Sequence, residues 1–281
     1  MDTIFVRMLS YALLMHETLY WCRDGNDYLV RSFLPTLGLH LSPRAYMTLH
    51  LSFMAVCLGL LLSPETWQLY PILLVILSLV IASYSLRVSN HLILSWFMVL
   101  TLCVATFLQA PAERGLRASN FLLLGIQGLC ILTYAFSFLH KLNSDYISTT
   151  HSCATQLGDF YCWDRKIEHE RVVKAVRLVS IYGTLLVEGL MPICLLVPPL
   201  LPIGLLLGLL FHFTLGVLGI INFSAVMYAG LLTFVPPATL MQVAGQIAAL
   251  GWPTIAFVLL LCVLIVWFLT PQHANRHCPY V

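Results

Sequence analysis

Ionisable side chains interrupt stretches of this sequence that are otherwise apolar, and they are the first candidates for chemistry. Such groups are costly in an apolar surrounding and count as functional-site candidates by default. They are Arg7, His16, Glu17, His50, His91, Lys141, Glu188 and His212. In a low-dielectric site an amine loses the solvation of its charged form, so the neutral form becomes available as a general base. The set therefore contains candidates for proton transfer, among them the amine of Lys141.

Four of these residues have simpler interpretations. Arg7 and His50 fall near the ends of apolar runs, where a long or amphipathic side chain snorkels to the lipid headgroups. His16 and Glu17 are adjacent near the end of a run, which favours a local polar pair at the membrane interface.

His91 and Lys141 are expected at the same membrane face. His91 begins the predicted span 90–110 and Lys141 follows the predicted span 119–140. The two spans form a helical hairpin closed by 111–118, so their outer ends meet at one face.

The next spans add polar residues at greater depth. Glu188 lies about 12 residues into the predicted span 176–197, which is about 18 Å at 1.5 Å per residue. His212 lies at a similar depth in the following span, and Asn222 returns to the first face. The topology predicts one polar pocket with Glu188 and His212 deep inside and Asn222 at the mouth beside the hairpin end. Separate interhelical hydrogen bonds without a shared cavity are the alternative.

The elements that position these residues are predicted to be transmembrane helices. Hydrophobic residues make up 60% of the 281 residues and charged residues only 9%, against about 25% charged in a typical soluble domain. Apolar runs long enough to span a bilayer occur at 45–63, 67–86, 90–110, 119–140, 176–197, 200–220 and 253–270. The run 4–21 is less clean, and 222–243 contains Pro236 and Pro237 and is expected to be broken or re-entrant. The prediction is an all-α, polytopic integral membrane protein with eight or nine spans.

One longer extramembrane loop, 141–175, is expected to be folded, with a short helix near 164–175. Cys153 and Cys162 lie in this loop and are candidates for a disulfide if it faces an oxidising compartment. No metal site is predicted, and a net charge of +2 gives no argument for nucleic acid. Membrane lipid is the expected partner, in a bacterial cell membrane or an endoplasmic reticulum membrane.

The segment Tyr134-Ala-Phe-Ser-Phe-Leu-His-Lys141-Leu-Asn-Ser-Asp145-Tyr146 resembles the catalytic-lysine motif of vitamin K-dependent gamma-glutamyl carboxylases. Asn90-His91 resembles the Asn-His pair of those enzymes, and Phe211-His212 followed by Phe223-Ser224 resembles a downstream span. The matches cover about residues 1–240 and are typical of the wider horizontally transferred transmembrane (HTTM) superfamily. The chain is thus expected to be a single transmembrane domain, 1–281, with an extra C-terminal helix at 253–270.

The resemblance implies a reduced, vitamin K-like quinone as the cofactor and a peptide or protein as a further substrate. In this family a lysine amine deprotonates the quinol, and the reaction with oxygen drives carboxylation of glutamate. The implied catalytic residues are Lys141, His91 and His212. The residues expected to bind substrate are Asn90, Tyr134, Glu188 and Asn222.

Two other functions remain open. The stretches Tyr182-Gly-Thr-Leu-Leu-Val and His212 to Gly230 resemble the SdpB-like proteins, which help to mature a secreted peptide toxin. A non-catalytic helper for maturation or export of a peptide is therefore the alternative to an enzyme. A transporter or channel is disfavoured, because the sequence shows no inverted repeat and no paired broken helices.

Overall fold

Helices form the described part of the chain, which is residues 2–24, 41–84, 90–108, 120–149, 152–218 and 220–249 of the computed structural model. No strand occurs within those ranges, so the all-α class is confirmed there. The helices are α1 (Asp2–Asp24), α2 (Pro43–Leu62), α3 (Leu69–Tyr84), α4 (Asn90–Leu108), α5 (Asn120–Lys141), α6 (Ser144–Ile147), α7 (Cys153–Asp164), α8 (Glu170–Leu196), α9 (Leu201–Val217), α10 (Ile221–Leu232) and α11 (Pro237–Ala249). A 3-10 turn, Pro198–Leu200, joins α8 to α9.

Five stretches of helix are long and apolar enough to cross a membrane: Pro43–Leu62, Asn90–Leu108, Leu122–Lys141, Glu170–Leu196 and Pro198–Val217. Large apolar side chains on these helices are exposed, such as Leu124 at 67% and Leu206 at 59%, as expected where a surface faces lipid. These features are compatible with an integral membrane protein. A total of eight or nine spans stays a prediction, and the predicted span 253–270 lies outside the described residues.

The run predicted to be broken or re-entrant is broken. α10 ends at Leu232 and α11 begins at Pro237. Proline has no backbone N–H and disfavours helical geometry in the preceding residue, so the Pro236-Pro237 pair stops one helix. Proline is also well suited to the first position of the next helix, where Pro237 lies.

The helices group into two compact units. Unit 1 comprises residues 1–129 and 225–233, and it contains α1 to α4 with the start of α5 and most of α10. Unit 2 comprises residues 130–224 and 234–281, and it contains the rest of α5, α6 to α9 and α11. The prediction of a single transmembrane domain stays a prediction.

In unit 1, α1 packs on α2, α2 on α3, and α3 on α4. Large apolar side chains with almost no exposure fill the contacts, including Phe5, Leu9, Phe53 and Leu77. Only six residues separate α2 from α3 and five separate α3 from α4, and such short connections favour antiparallel neighbours.

In unit 2, the segment between α5 and α8 is helical. The side chain of Ser152 accepts a hydrogen bond from the backbone N–H of Ala154 at 3.2 Å and starts α7. α7 then packs on α8 at Gly158, where an added Cβ would lie 3.0 Å from the Ser180 hydroxyl. The short helix predicted near 164–175 is wrong, because this cap starts the helix earlier and residues from Glu170 onward belong to α8.

Candidate functional site

A polar stripe on α5 organises the candidate site of unit 2. Tyr134, Ser137 and Lys141 are spaced by three and four residues, so they share one face of the helix. Tyr134 and Lys141 are two turns apart, about 10.5 Å along the helix axis. The stripe meets α8 at one end and α9 at the other.

Lys141 forms an ion pair with Glu188 of α8. The ammonium Nζ donates to Glu188 Oε1 at 2.5 Å and to Oε2 at 2.6 Å. It also donates to Ser137 Oγ at 2.7 Å. An ammonium has three donors, so these three acceptors use its whole capacity. The Glu188 side chain is 7% exposed and that of Lys141 is 23% exposed, which makes the pair mostly buried.

Tyr146 covers the ion pair on the side of α6. Its ring centroid lies 5.6 Å from Lys141 Nζ, within the range of a cation–π contact. The Asn143 side chain caps α6 by accepting from the backbone N–H of Tyr146 at 2.8 Å. Tyr146 also packs with Ala154 of α7 and Ile181 of α8. Burial is the main cause that raises the pKa of Tyr146 to about 12, so its hydroxyl stays neutral.

Tyr134 and His212 form the second polar pair of the stripe. The Tyr134 hydroxyl and His212 Nε2 are joined by a hydrogen bond of 2.6 Å, and both side chains are buried. The rings of Phe211 and Phe223 meet His212 edge-on, with centroids 5.3 and 5.4 Å from it. This pair therefore offers hydrogen bonding within an aromatic and apolar surrounding.

Small residues on α9 allow this helix to lie close to α8. Gly204 and Gly208 are buried on the same face of α9 as His212. A Cβ added at Gly204 would lie 2.9 Å from the Cβ of Cys194 on α8. α8 and α9 therefore lie close together near the turn that joins them.

The predicted separation in depth between Lys141 and Glu188 is wrong, because the two side chains are in direct contact. α8 begins at Glu170, six residues before the predicted span, and its first turns pack on α7. Asp159 of α7 is bound there by Arg177 of α8, at 2.7 and 2.9 Å. α7 lies between α5 and α8 in the chain, so the first turns of α8 are held beside α7. Glu188, further along α8, then contacts Lys141 at the end of α5.

Unit 1 contains a separate buried group of ionisable residues. His91 Nε2 and His16 Nδ1 are joined at 2.9 Å, and His50 Nδ1 and Glu17 Oε1 are joined at 2.5 Å. Glu17 and His50 have no exposed surface, and His16 and His91 have only 5% and 8%.

Two interpretations from the sequence are wrong at this point in unit 1. His50 does not snorkel, because it is fully buried and bound to Glu17. His16 and Glu17 are buried, and each also bonds to a different helix, His16 to His91 of α4 and Glu17 to His50 of α2. α1, α2 and α4 bring the residues together at the end where α1 finishes and α2 and α4 begin.

The remaining predicted site residues are placed as follows. Asn90 is exposed at the start of α4, in unit 1, and Asn222 is partly buried at the start of α10, in unit 2. His91 belongs to unit 1 and Lys141 to unit 2. The shared pocket of His91, Lys141 and Asn222 stays a prediction.

The predicted disulfide is wrong. Cys153 and Cys162 are both free thiols. They lie nine residues apart on the same helix, α7, which is about 13.5 Å of helix rise. A disulfide needs its two Cα atoms within about 7 Å. Within the described ranges, no group of three His, Cys, Asp or Glu side chains is arranged to hold a metal ion.

The structure adds residues that reasoning from the sequence missed. Ser137 was not singled out, although it lies one turn before Lys141 and its hydroxyl faces the same side. Tyr146 belongs to the lysine motif, but its position five residues after the end of α5 gives no sign in the sequence that its ring returns over Lys141. The comparison with protein-family models, curated proteins and solved structures finds no match for this chain.

Proposed function

We propose that this chain is a membrane-embedded enzyme similar to the vitamin K-dependent carboxylases, with Lys141 as general base toward a reduced quinone or a similar lipid-soluble acid. The observation that supports this proposal is the pairing of Lys141 with Glu188 on the stripe of α5 that also carries Tyr134 and His212. The stripe combines a proton-transfer pair with a second hydrogen-bonding position beside aromatic rings.

The residues of this stripe fit a quinol. Tyr134 and His212 lie among the rings of Phe211 and Phe223, a surrounding suited to a flat ring with polar oxygens. Lys141 and Glu188 supply the proton-transfer groups at the other end. A reduced quinone supplies a weakly acidic hydroxyl when it is bound, and a glutamyl peptide is the substrate that the resemblance adds.

Lys141 must lose a proton before it can accept one from the substrate. In the ion pair, the ammonium has no lone pair with which to accept a proton. The base becomes available when one proton moves from Nζ to the Glu188 carboxylate along their 2.5 Å hydrogen bond. This transfer removes both charges and leaves the total charge of the pair at zero, so a dry surrounding favours it more than water does. Glu188 is therefore the residue that prepares Lys141.

A non-catalytic helper for maturation or export of a secreted peptide is the second candidate. One observation favours it: the three acceptors around Lys141 satisfy the ammonium completely, as in a purely structural ion pair. In that role Lys141 would hold α5 to α8 and would never release a proton.

The substitution Lys141→Arg separates the two candidates. Arginine keeps the positive charge, but it cannot act as a base because its pKa stays above about 12. In proteoliposomes supplied with a reduced quinone, we expect this variant to fold and to lose quinol turnover. Lys174→Arg is the matched control, since Lys174 is exposed on α8. Full turnover in Lys141→Arg would remove the catalytic role and favour the helper.

The predicted role of His91 can be tested in the same assay. We expect His91→Ala to weaken turnover by about 100-fold if the imidazole takes part in proton transfer. Mass spectrometry of lipids that copurify with the wild-type protein gives an independent measurement, because the enzymatic proposal expects about one quinone per protein and the helper expects only the trace amount carried by bulk lipid.

A further inference from the structure

The buried ionisable residues of unit 1 form a cluster that the proposed function does not use as a whole. It consists of Glu17, His50, His16 and His91, and we refer to it as the unit 1 cluster. Three helices contribute to it: α1 carries His16 and Glu17, α2 carries His50, and α4 carries His91.

Helix packing alone does not explain the choice of residues. A polar contact that only joins helices within a membrane is served by serine, asparagine, glutamine or a neutral histidine, but not by a glutamate without exposed surface, which is costly there. Here every member of the cluster can gain or lose a proton. Buried chains of glutamate and histidine are the groups from which proton paths in membrane proteins are built.

The geometry links the two pairs of the cluster. His16 and Glu17 are consecutive on α1, and both Glu17 and His50 lie within electrostatic range of His16. The His16 and His91 rings are edge-on, with centroids 4.6 Å apart. Among the described residues, two further titratable groups face the cluster: Tyr46, whose ring lies 4.3 Å from His50, and Cys57, which is within electrostatic range of Glu17.

We propose that the unit 1 cluster is a proton-binding site, in which Glu17 and His50 hold one proton and His91 and His16 carry it in and out. With Glu17 ionised and all three imidazoles neutral, the four side chains carry a total charge of −1. One added proton brings the total to zero, the state in which burial costs least.

The proton moves without any change in other bonds. His91 takes a proton from water, and the hydrogen bond from His91 Nε2 to His16 Nδ1 carries it inward. An imidazole that gains a proton on one ring nitrogen can release the proton on the other, so each ring returns to its neutral form. The step from His16 to the second pair is part of the proposal and rests on proximity, since Glu17 follows His16 on α1 and lies within electrostatic range of it. The proton ends between Glu17 Oε1 and His50 Nδ1. The order of exposure supports this direction, because His91 is the most exposed member and Glu17 and His50 are the least.

Nuclear magnetic resonance of isotope-labelled histidine, with the whole protein in lipid nanodiscs, tests the proposal. At about neutral pH we expect His50 to carry protons on both ring nitrogens in the wild type, and on one in Glu17→Gln. His91→Phe should leave the charge of His50 unchanged. It should slow the exchange of the His50 ring proton with deuterium by about 100-fold, the lower end of what a positioned proton donor contributes.

Two further variants keep the test decisive. His91→Gln preserves a hydrogen-bonding group beside His16 but cannot carry a proton, so it should slow the exchange as His91→Phe does. His169→Asn is the matched control, because His169 is exposed at the start of α8 in unit 2 and should change neither measurement. A neutral His50 in the wild type, or an unchanged exchange rate in both His91 variants, would overturn the proposal. Neither result depends on whether Lys141 is a base.

Discussion

The ion pair between Lys141 and Glu188 should stabilise the fold more than a surface ion pair does. Removing one partner of a fully buried pair costs about 3–5 kcal/mol, whereas an exposed pair contributes about 0–1 kcal/mol. The Glu188 side chain is 7% exposed and that of Lys141 is 23% exposed, which places this pair between the two cases. We expect a coupling energy of about 2 kcal/mol from a double-mutant cycle of Glu188→Gln and Lys141→Met.

The measurement is reversible unfolding in mixed detergent micelles, with the free energy of unfolding compared among the wild type, both single variants and the double variant. Asp159 and Arg177 provide a matched control in the same unit, because their side chains are 27% and 36% exposed. A cycle of Asp159→Asn and Arg177→Gln should give a smaller coupling energy, about 1 kcal/mol, because this pair is more exposed although its contact is bidentate. A coupling energy for Lys141 and Glu188 no larger than that of the control would refute the reasoning from burial.

Three further predictions concern individual residues. The pKa of Tyr146 is about 12 in the folded protein and 10.0 in the unfolded chain. The stability linked to this hydroxyl is therefore complete below about pH 10 and is lost as the pH rises toward 12. Unfolding at alkaline pH would show this loss, and Tyr146→Phe would abolish it. Gly204→Ala should destabilise the protein by about 1–3 kcal/mol in thermal unfolding, because the new Cβ would lie 2.9 Å from α8. Gly128→Ala is the control, since an added Cβ there has no atom within 4 Å. It should be neutral or should stabilise the protein by up to about 1 kcal/mol. Cys153 is exposed and Cys162 is buried. A maleimide should therefore label Cys153 at least about tenfold faster than Cys162 in the folded protein. Equal labelling rates would contradict the placement of α7.

Hydrophobic length predicted most of the helices, because a long apolar run has few alternatives in a membrane. The prediction 119–140 corresponds to α5 and 200–220 to α9, with ends within a few residues. Hydrophobic length failed as a predictor where a helix is amphipathic. α7 and the first turns of α8 bury only one face against each other, so their polar residues resembled a loop. The N-terminal cap at Ser152 was the available signal.

The candidate site was predictable in its residues but only partly in its contacts. Counting helix rise gives depth only if a helix starts at the membrane face, whereas the first turns of α8 pack on α7 and Glu188 contacts Lys141. The hydrogen bond between Tyr134 and His212 joins residues whose helices are distant in sequence. Such a contact depends on the rotation of each helix about its axis, which periodicity leaves undetermined when a helix is apolar on all sides.

Glu188 provides the sharpest distinction between an enzyme and a structural helper. If Lys141 is a base, Glu188 must first take its proton, so both residues are needed and the double variant of Glu188→Gln and Lys141→Met has no activity. If the pair is structural, each single variant harms the protein by leaving a charge or a polar group without its counterpart. The double variant then removes both charges together and should recover much of the wild-type function. Loss or recovery in the double variant therefore assigns the ion pair to chemistry or to packing.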